Sequence, residues 1–327
     1  MEEKEVYWLE EIGQEYNDLV GKKSANLGEM LKIEGIRVPP GFAIAIGVYE
    51  KFVRKTGADQ EIVQYLMQTF PEGVSFTKLS EVSLGLRSII ESREVPTDLK
   101  EDIAAHYRAL CDKRGIKDVA VSVRSSGAKS HPGQYETYLN VRGLDQLLEK
   151  VVKAWSSIYN TKSISAAMRQ ATPIEACPPV GVCVLEMVNA RSAGVCLTVH
   201  PISGDDTKAV VESNWGLGVS VVSGAVTPDR FIVDKVEMRV KEISIGQKEK
   251  QVLMKNEGIS EETLLPDKQS KLSITEEEVI NIVELAKKLE SHFGAPQDVE
   301  WAIDSNLSSG ESITLLQTRP QTGIPKR

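Results

Sequence analysis

The sequence predicts an α+β protein of two domains, and three observations carry that expectation. Helical stretches mix with a few strand-like runs in the first half. Short β-branched runs separated by turn residues dominate the second half. Between the two lies a proline-bearing stretch, TPIEACPPVG, from Thr172 to Gly181. The boundary is therefore placed at 178/179, with an N-terminal α+β domain over 1–178 and a β-rich domain over 179–327. With 327 residues, 41% apolar and 26% charged, the chain is long enough for two modest cores.

The elements follow in order. Gly21 precedes KKSANLGEMLKI, whose apolar Ala25, Leu27, Met30 and Leu31 suit a short helix with Lys23 in its first turn. A Pro-Pro-Gly turn at Pro39 to Gly41 leads into an extended run, GFAIAI, and then several helical stretches including DLKEDIAAHYRALCDK. The run VAVSVR, Val119 to Arg124, alternates as a strand and stops at Ser125-Ser126-Gly127; the polar loop SSGAKSHPGQYET and a helix around LDQLLEKVVKAW come next. Beyond the hinge, GVCVLEMV, AGVCLTVH, KAVVESNW and FIVDKVEMRVKEISI read as strands. Thr275 and Glu278 form a capping box for a helix with Val279, Ile282, Val283, Ala286, Leu289 and Phe293 on one face and Gly294 as its stop. The chain closes on a hairpin, QDVEWAID and SITLLQTRP joined by SNLSSGE.

Charge and composition exclude some functions. With 39 Lys and Arg against 47 Asp and Glu, the formal charge of −8 works against capture of nucleic acid or an anionic membrane. The N-terminus lacks a signal-peptide pattern and no eighteen consecutive residues are apolar, so a cytoplasmic location is expected. Cys111, Cys177, Cys183 and Cys196 form no CxxC pair, and buried thiols are expected in place of disulfides or a metal site. There is no Walker A motif, and NWGLGVSVVSG holds only an incomplete glycine pattern. Of the histidines, His106, His200 and His292 fall on structural elements, and only His131 lies in the polar loop.

The last hairpin carries chemistry. A loop centred near Ser308 brings Glu300 opposite Leu316 or Gln317. Alternation turns Val299, Trp301 and Ile303 to one side and Asp298, Glu300 and Asp304 to the other. A carboxylate and an amide oxygen facing each other suit Mg²⁺, with phosphate oxygens and water completing its shell; an ordinary solvated strand face is the plain alternative. Lys23, Arg124 and Arg319 are separated cations of the kind phosphoryl transfer needs, although each taken singly also reads as a surface charge. The loop after Ser125 could turn amides toward phosphates or be a surface turn, and Leu185 to Val188 could face an adenine edge or be a core strand.

Taken together, GKKSANLGEM, VPPGFAI, SVRSSGAKSHPGQYETYLNV, VCVLEMVNARSAGVCLTVHPISGD, NWGLGVSVVSG, DVEWAID and LLQTRP resemble, in that order, the nucleotide-binding domain of the phosphoenolpyruvate synthase and pyruvate phosphate dikinase family. The resemblance implies an ATP-grasp fold of two subdomains with ATP in the cleft between them. It implies that Lys23, Arg124 and Arg319 are catalytic phosphate contacts, and that Ser130, Gly133, Gln134 and Thr137 belong to a loop closing over the triphosphate. Glu186, Met187 and Val188 would form the adenine strand, and Glu300 and Gln317 would hold Mg²⁺. The implied cofactors are ATP and Mg²⁺, and the implied partner is a phosphohistidine-carrier domain or subunit, since no Thr-Cys-His-type motif occurs here. That histidine would be loaded with release of AMP, for transfer to pyruvate or, as in phenylphosphate synthase with its separate ATP-binding subunit, to phenol. The chain departs from the family pattern at Lys22, where glycine is frequent, and at Val219, where glutamate is frequent. The alternative is a regulatory module that senses nucleotide without passing phosphate on.

Overall fold

The computed structural model describes residues 4–129, 136–308 and 311–325. It divides into two compact units, Met1–Gly28 with Pro40–Met187, and Glu29–Pro39 with Val188–Arg327.

Unit 1 is built on five antiparallel strands: β1 (Val6–Trp8), β2 (Gly41–Ile44), β3 (Val121–Ser126), β4 (Thr137–Val141) and β5 (Gly181–Glu186). Their order is β1-β2-β5-β3-β4. The central β5 is buried on both faces over Gly181 to Leu185, which is why GVCVL reads as a continuous apolar run with no alternation. Helices Ile46–Thr56, Ala58–Thr69, Leu79–Glu91, Thr97–Arg114 and Leu144–Ser156 supply the rest of the core, where Phe52 and Trp155 lie with ring centroids 5.0 Å apart and both fully buried. The extended run expected over GFAIAI ends at Ile44, because Ile46 already opens a helix whose Val48, Tyr49, Phe52 and Val53 recur at helical spacing.

β5, just past the expected boundary at 178/179, pairs with both β2 and β3. A strand hydrogen-bonded on both sides belongs to the sheet it completes, so the division falls at 187/188. Glu29–Pro39 groups with the later unit for similar reasons. Leu315 N–H donates to the Arg37 carbonyl at 2.9 Å, Lys288 Nζ to the Glu34 carbonyl at 3.1 Å, and His292 Nε2 lies 2.7 Å from Glu29 Oε1. None of these long-range contacts is signalled by local pattern.

Unit 2 contains β6 (Ala190–Leu197), β7 (Lys208–Trp215), β8 (Asp229–Asp234), β9 (Arg239–Ser244), β10 (Lys250–Met254), β11 (Ile259–Thr263), β12 (Gln297–Asp304) and β13 (Ile313–Pro320). Six form an antiparallel sheet, β13-β12-β6-β7-β8-β9, while β10 and β11 make a separate hairpin. FIVDKVEMRVKEISI, expected as one run, breaks into β8 and β9 at a turn where Met238 has φ +49°. Helix Glu276–Phe293 packs on the sheet and buries Val279, Ile282, Val283, Ala286 and Leu289. It opens with the Thr275–Glu278 capping box and stops at Gly294 with φ +66°. Val299, Trp301 and Ile303 are buried, and Asp298, Glu300 and Asp304 are half-exposed, as the alternation requires.

All four cysteines are buried and free. No helix among the described residues is long and apolar enough to cross a membrane.

Candidate functional site

In unit 1 the site starts from a backbone constraint. Gly21 has φ +79° and ψ 156° and immediately precedes helix Lys22–Leu31. A Cβ here would lie 2.0 Å from the Ser126 carbonyl oxygen, so only glycine lets the helix start approach the end of β3 so closely. Two hydrogen bonds hold the junction: Lys22 N–H to the Gly127 carbonyl at 2.9 Å, and Ser24 N–H to Ser126 Oγ at 3.2 Å. Lys23 thus sits in a first turn fastened to the end of the strand that carries Arg124.

Arg124 pairs with Thr137 on β4 and with Cys183 on β5, which sets these three side chains in one row on one face. Burial pushes the Cys183 thiol up, while the nearby charges of Arg124 and Lys23 pull it back, which sets both cations near the same buried sulfur. Lys23, Arg124 and Thr137 therefore converge at one end of the unit 1 sheet. Ser130, Gly133 and Gln134 lie outside the described residues, as does His131.

The chain entering β4 is anchored by a cluster that pattern reading missed. Glu136 accepts from Arg87 Nη1 at 2.5 Å and Nη2 at 3.0 Å, and also from the Tyr138 hydroxyl. Its own carbonyl accepts from Ser125 Oγ at 3.1 Å. Burial, then the bond to Glu136, raises the Tyr138 pKa. Arg87 comes from helix Leu79–Glu91, so no local spacing signals the pair.

Glu186 does not join the Arg124 row. It pairs with Val121 three residues from Cys183, about 10 Å along the strand and on the other face. Its Oε1 accepts from Arg114 Nε at 2.9 Å and forms an ion pair with Nη2 at 2.9 Å. Its Oε2 is buried with no hydrogen-bond partner among the described residues. The backbone here is partly committed: Glu186 N–H donates to the Pro40 carbonyl at 2.9 Å, Met187 N–H to the Ala120 carbonyl at 2.8 Å, and the Val188 carbonyl accepts from Ala190 N–H at 2.9 Å.

In unit 2 the hairpin resolves the choice between Leu316 and Gln317. Glu300 pairs with Gln317, and the next pair is Trp301 with Leu315, so Leu316 is the extra residue of a β-bulge. The bulge turns Gln317 to the side of Glu300, and Gln317 Nε2 donates to Glu300 Oε1 at 2.9 Å. Arg319, two residues on, is opposite Asp298 and donates to its Oδ2 from Nε at 2.9 Å and Nη2 at 2.6 Å. Asp298 is the member that sequence reasoning placed on this face without giving it a role.

The donor set bears on a metal. Turning the Gln317 amide over brings its oxygen to the side of the Glu300 carboxylate, and two hard oxygens then face one point. No group of three or more His, Cys, Asp or Glu that could hold a metal exists among the described residues. The pair fits a hard divalent cation whose remaining positions are filled by phosphate oxygens and water, as Mg²⁺ prefers.

Unit 2 thus sets a paired carboxylate and amide beside an arginine, and unit 1 sets a helix-start lysine beside a strand arginine. The family model "Pyruvate phosphate dikinase, AMP/ATP-binding domain" matches residues 17–327, and the chain belongs to this family. It is 37% identical to the phosphoenolpyruvate synthase of Aeropyrum pernix, over 98% of this chain and 43% of that protein. It is 38% identical to a probable phosphoenolpyruvate synthase of Archaeoglobus fulgidus, over 98% and 42%. A third, from Methanothermobacter thermautotrophicus, is 36% identical over 98% and 46%. The chain spans less than half the length of these relatives. A solved ADP complex of N5-carboxyaminoimidazole ribonucleotide synthetase matches at 10% identity and a TM-score of 0.25, over 77% of this chain and 59% of that one, too slight a likeness to carry an argument.

Proposed function

We propose that this chain binds ATP with Mg²⁺ and passes a phosphoryl group, by way of a pyrophosphoryl intermediate, to a histidine on a carrier domain or partner subunit, releasing AMP. The observation that carries this reading is the Glu300–Gln317 pair, turned to one side by the bulge at Leu316 and flanked by Asp298 and Arg319. In this reading Glu300 and Gln317 hold Mg²⁺, which supplies charge neutralisation between phosphate oxygens. Lys23, Arg124 and Arg319 take up the remaining phosphate charge, and Ser130, Gly133, Gln134 and Thr137 line the triphosphate. Arg319 stays aimed by Asp298 until phosphate arrives. Glu186, Met187 and Val188 flank the adenine.

The attacking histidine nitrogen bonds to the β-phosphorus, the bond from that phosphorus to the α,β-bridging oxygen breaks, and AMP leaves. Water then attacks the γ-phosphorus of the pyrophosphohistidine, the bond from that phosphorus to the β,γ-bridging oxygen breaks, and phosphate leaves; the phosphohistidine that remains serves an acceptor such as pyruvate or phenol. Mixing the chain with its carrier and β-labelled ATP should give AMP and labelled histidine; ADP with no AMP would sink the dikinase assignment. Glu300→Ala and Gln317→Ala should each abolish transfer with the fold intact, and wild-type transfer by either would remove their metal role. Tight ATP binding with no transfer to any carrier would favour the nucleotide-sensing alternative, for which Val219 in place of an acid is the supporting observation.

A further inference from the structure

Strand β3 lies between β5 and β4, and the two neighbours hold it unequally. Against β5 the register runs unbroken from Val121 with Glu186 to Ser126 with Gly181. Against β4 it shifts between Val121 and Val123, where Asn140 of β4 has φ +53°. Beyond that shift, two pairs remain among the described residues: Val123 with Tyr138, and Arg124 with Thr137. β4 is moreover an edge strand of the sheet. Arg124 is therefore fixed by β5, while the backbone ladder does little to fix Thr137 beside it.

A one-residue slip over so short a ladder would set Glu136 or Tyr138 opposite Arg124 and turn Thr137 to the other face of the sheet. Side chains supply what the ladder lacks. Glu136 and Tyr138, two residues apart, share a face, and the Tyr138 hydroxyl donates to the Glu136 carboxylate. Arg87 grips the same carboxylate with both ends of its fork, Nη1 on Oε1 at 2.5 Å and Nη2 on Oε2 at 3.0 Å. Its Nε donates to Glu91 Oε1 at 3.2 Å, and Ser156 Oγ donates to that same oxygen at 2.6 Å, so the guanidinium is itself held in place. The Glu136 carbonyl in turn accepts from the Ser125 N–H at 3.4 Å and from its hydroxyl at 3.1 Å. Ser125 is fully buried and lies between Arg124 and Ser126, the residue whose Oγ holds the start of the lysine helix through Ser24 N–H.

We infer that Arg87 is a positioning residue for the phosphate end of unit 1: clamped on Glu136, it sets the register that keeps Thr137 beside Arg124. This rests on the ATP reading above and extends it to a helix, Leu79–Glu91, that supplies no phosphate contact in that reading. Two parallel bonds fix the direction of the carboxylate as well as its distance, which the single point charge of a lysine does not do. Arg87 acts through Glu136, so the pair works as one unit.

The experiment is calorimetric titration of the chain with Mg²⁺ and either ATP or adenosine, which carries no phosphate. Arg87→Ala and Glu136→Ala should each lose roughly tenfold or more in ATP affinity while keeping the wild-type affinity for adenosine, which also shows that they have folded. The double variant should lose no more than either single one, because the two residues act through one contact. Arg87→Lys, which keeps the charge without the fork, should fall between and carries the test if the alanine variant does not fold. An Arg87 variant that melts earlier in urea yet keeps the wild-type ratio of ATP to adenosine affinity overturns the inference and leaves the ATP reading standing. So do additive losses in the double variant. A wild type that binds ATP no more tightly than adenosine overturns the phosphate reading and the inference with it.

Discussion

Gly21→Ala tests the junction between the lysine helix and the arginine strand without removing any functional group. At φ +79° and ψ 156° the backbone is in a region open essentially only to glycine, and an alanine held there costs about 1–3 kcal/mol. The added Cβ would lie 2.0 Å from the Ser126 carbonyl oxygen and 2.4 Å from its carbon, so the helix start and the end of β3 must part by roughly 1 Å or more to restore van der Waals contact. Parting them weakens Lys22 N–H to Gly127 and Ser24 N–H to Ser126 Oγ, each worth about 1 kcal/mol. The sum is about 3–5 kcal/mol. Gly57→Ala separates strain from collision: Gly57 has φ +71° and ψ 11°, with nothing within 4 Å of where its methyl would sit, so its cost should be only about 1 kcal/mol. Urea denaturation measures both. Because Lys23 moves with the helix start, Gly21→Ala should also weaken ATP binding where Gly57→Ala leaves it alone. A Gly21→Ala variant no less stable than Gly57→Ala would refute the argument from close approach.

Two further outcomes follow from buried groups. Lys248 and Asp229 form an ion pair in which both side chains are fully buried, and Asp229 also accepts from Gly246 N–H, Ser273 N–H and the Ser273 hydroxyl. Lys248→Met should cost about 3–5 kcal/mol in urea melts, and Lys248→Met with Asp229→Asn should cost less; equal losses would show that the uncompensated charge is not the cause. Tyr159 and Tyr49 are buried together, and burial raises both hydroxyls above their ordinary pKa of 10. A raised folded pKa gives stability that is complete below pH 10 and lost as pH climbs above it, by up to about 1.4 kcal/mol per pH unit for each such group. Tyr159→Phe should lose about 1 kcal/mol at pH 8 but fall less steeply between pH 10 and 11 than the wild type; parallel curves would exclude Tyr159 as a contributor.

What was legible in the sequence was local or periodic. The capping box at Thr275, the faces of β12 and the burial of the cysteines follow from spacing alone, since each depends on residues within a few positions of one another. The unit boundary was not legible, because an apolar run such as GVCVL does not say which sheet will take it; only pairing with β2 and β3 does. The same limit applies to the β10–β11 hairpin, whose short KQVLM and the ISEET opposite it, with two glutamates, give no strand pattern on their own, although Lys250 and Glu261 pair across it at 2.6 Å.

The candidate site divides along that line. Glu300 and Gln317 were reachable because a hairpin makes their separation in sequence a statement about space, yet alternation alone left Leu316 as good a partner as Gln317. One extra residue decides it: without the bulge at Leu316, the loop-side register of Trp301 with Leu315 would continue to Glu300 with Leu316 and Val299 with Gln317, carrying the amide to the other face. The Asp298–Arg319 pair depends on the same bulge only indirectly, since it lies on the far side of the Glu300–Gln317 pair from the irregularity and keeps the regular two-residue spacing. Moving the bulge by one position would therefore be expected to separate the two functions, leaving Arg319 on Asp298 while removing Gln317 from Glu300, which is why the irregularity belongs to the site as much as the side chains it aims.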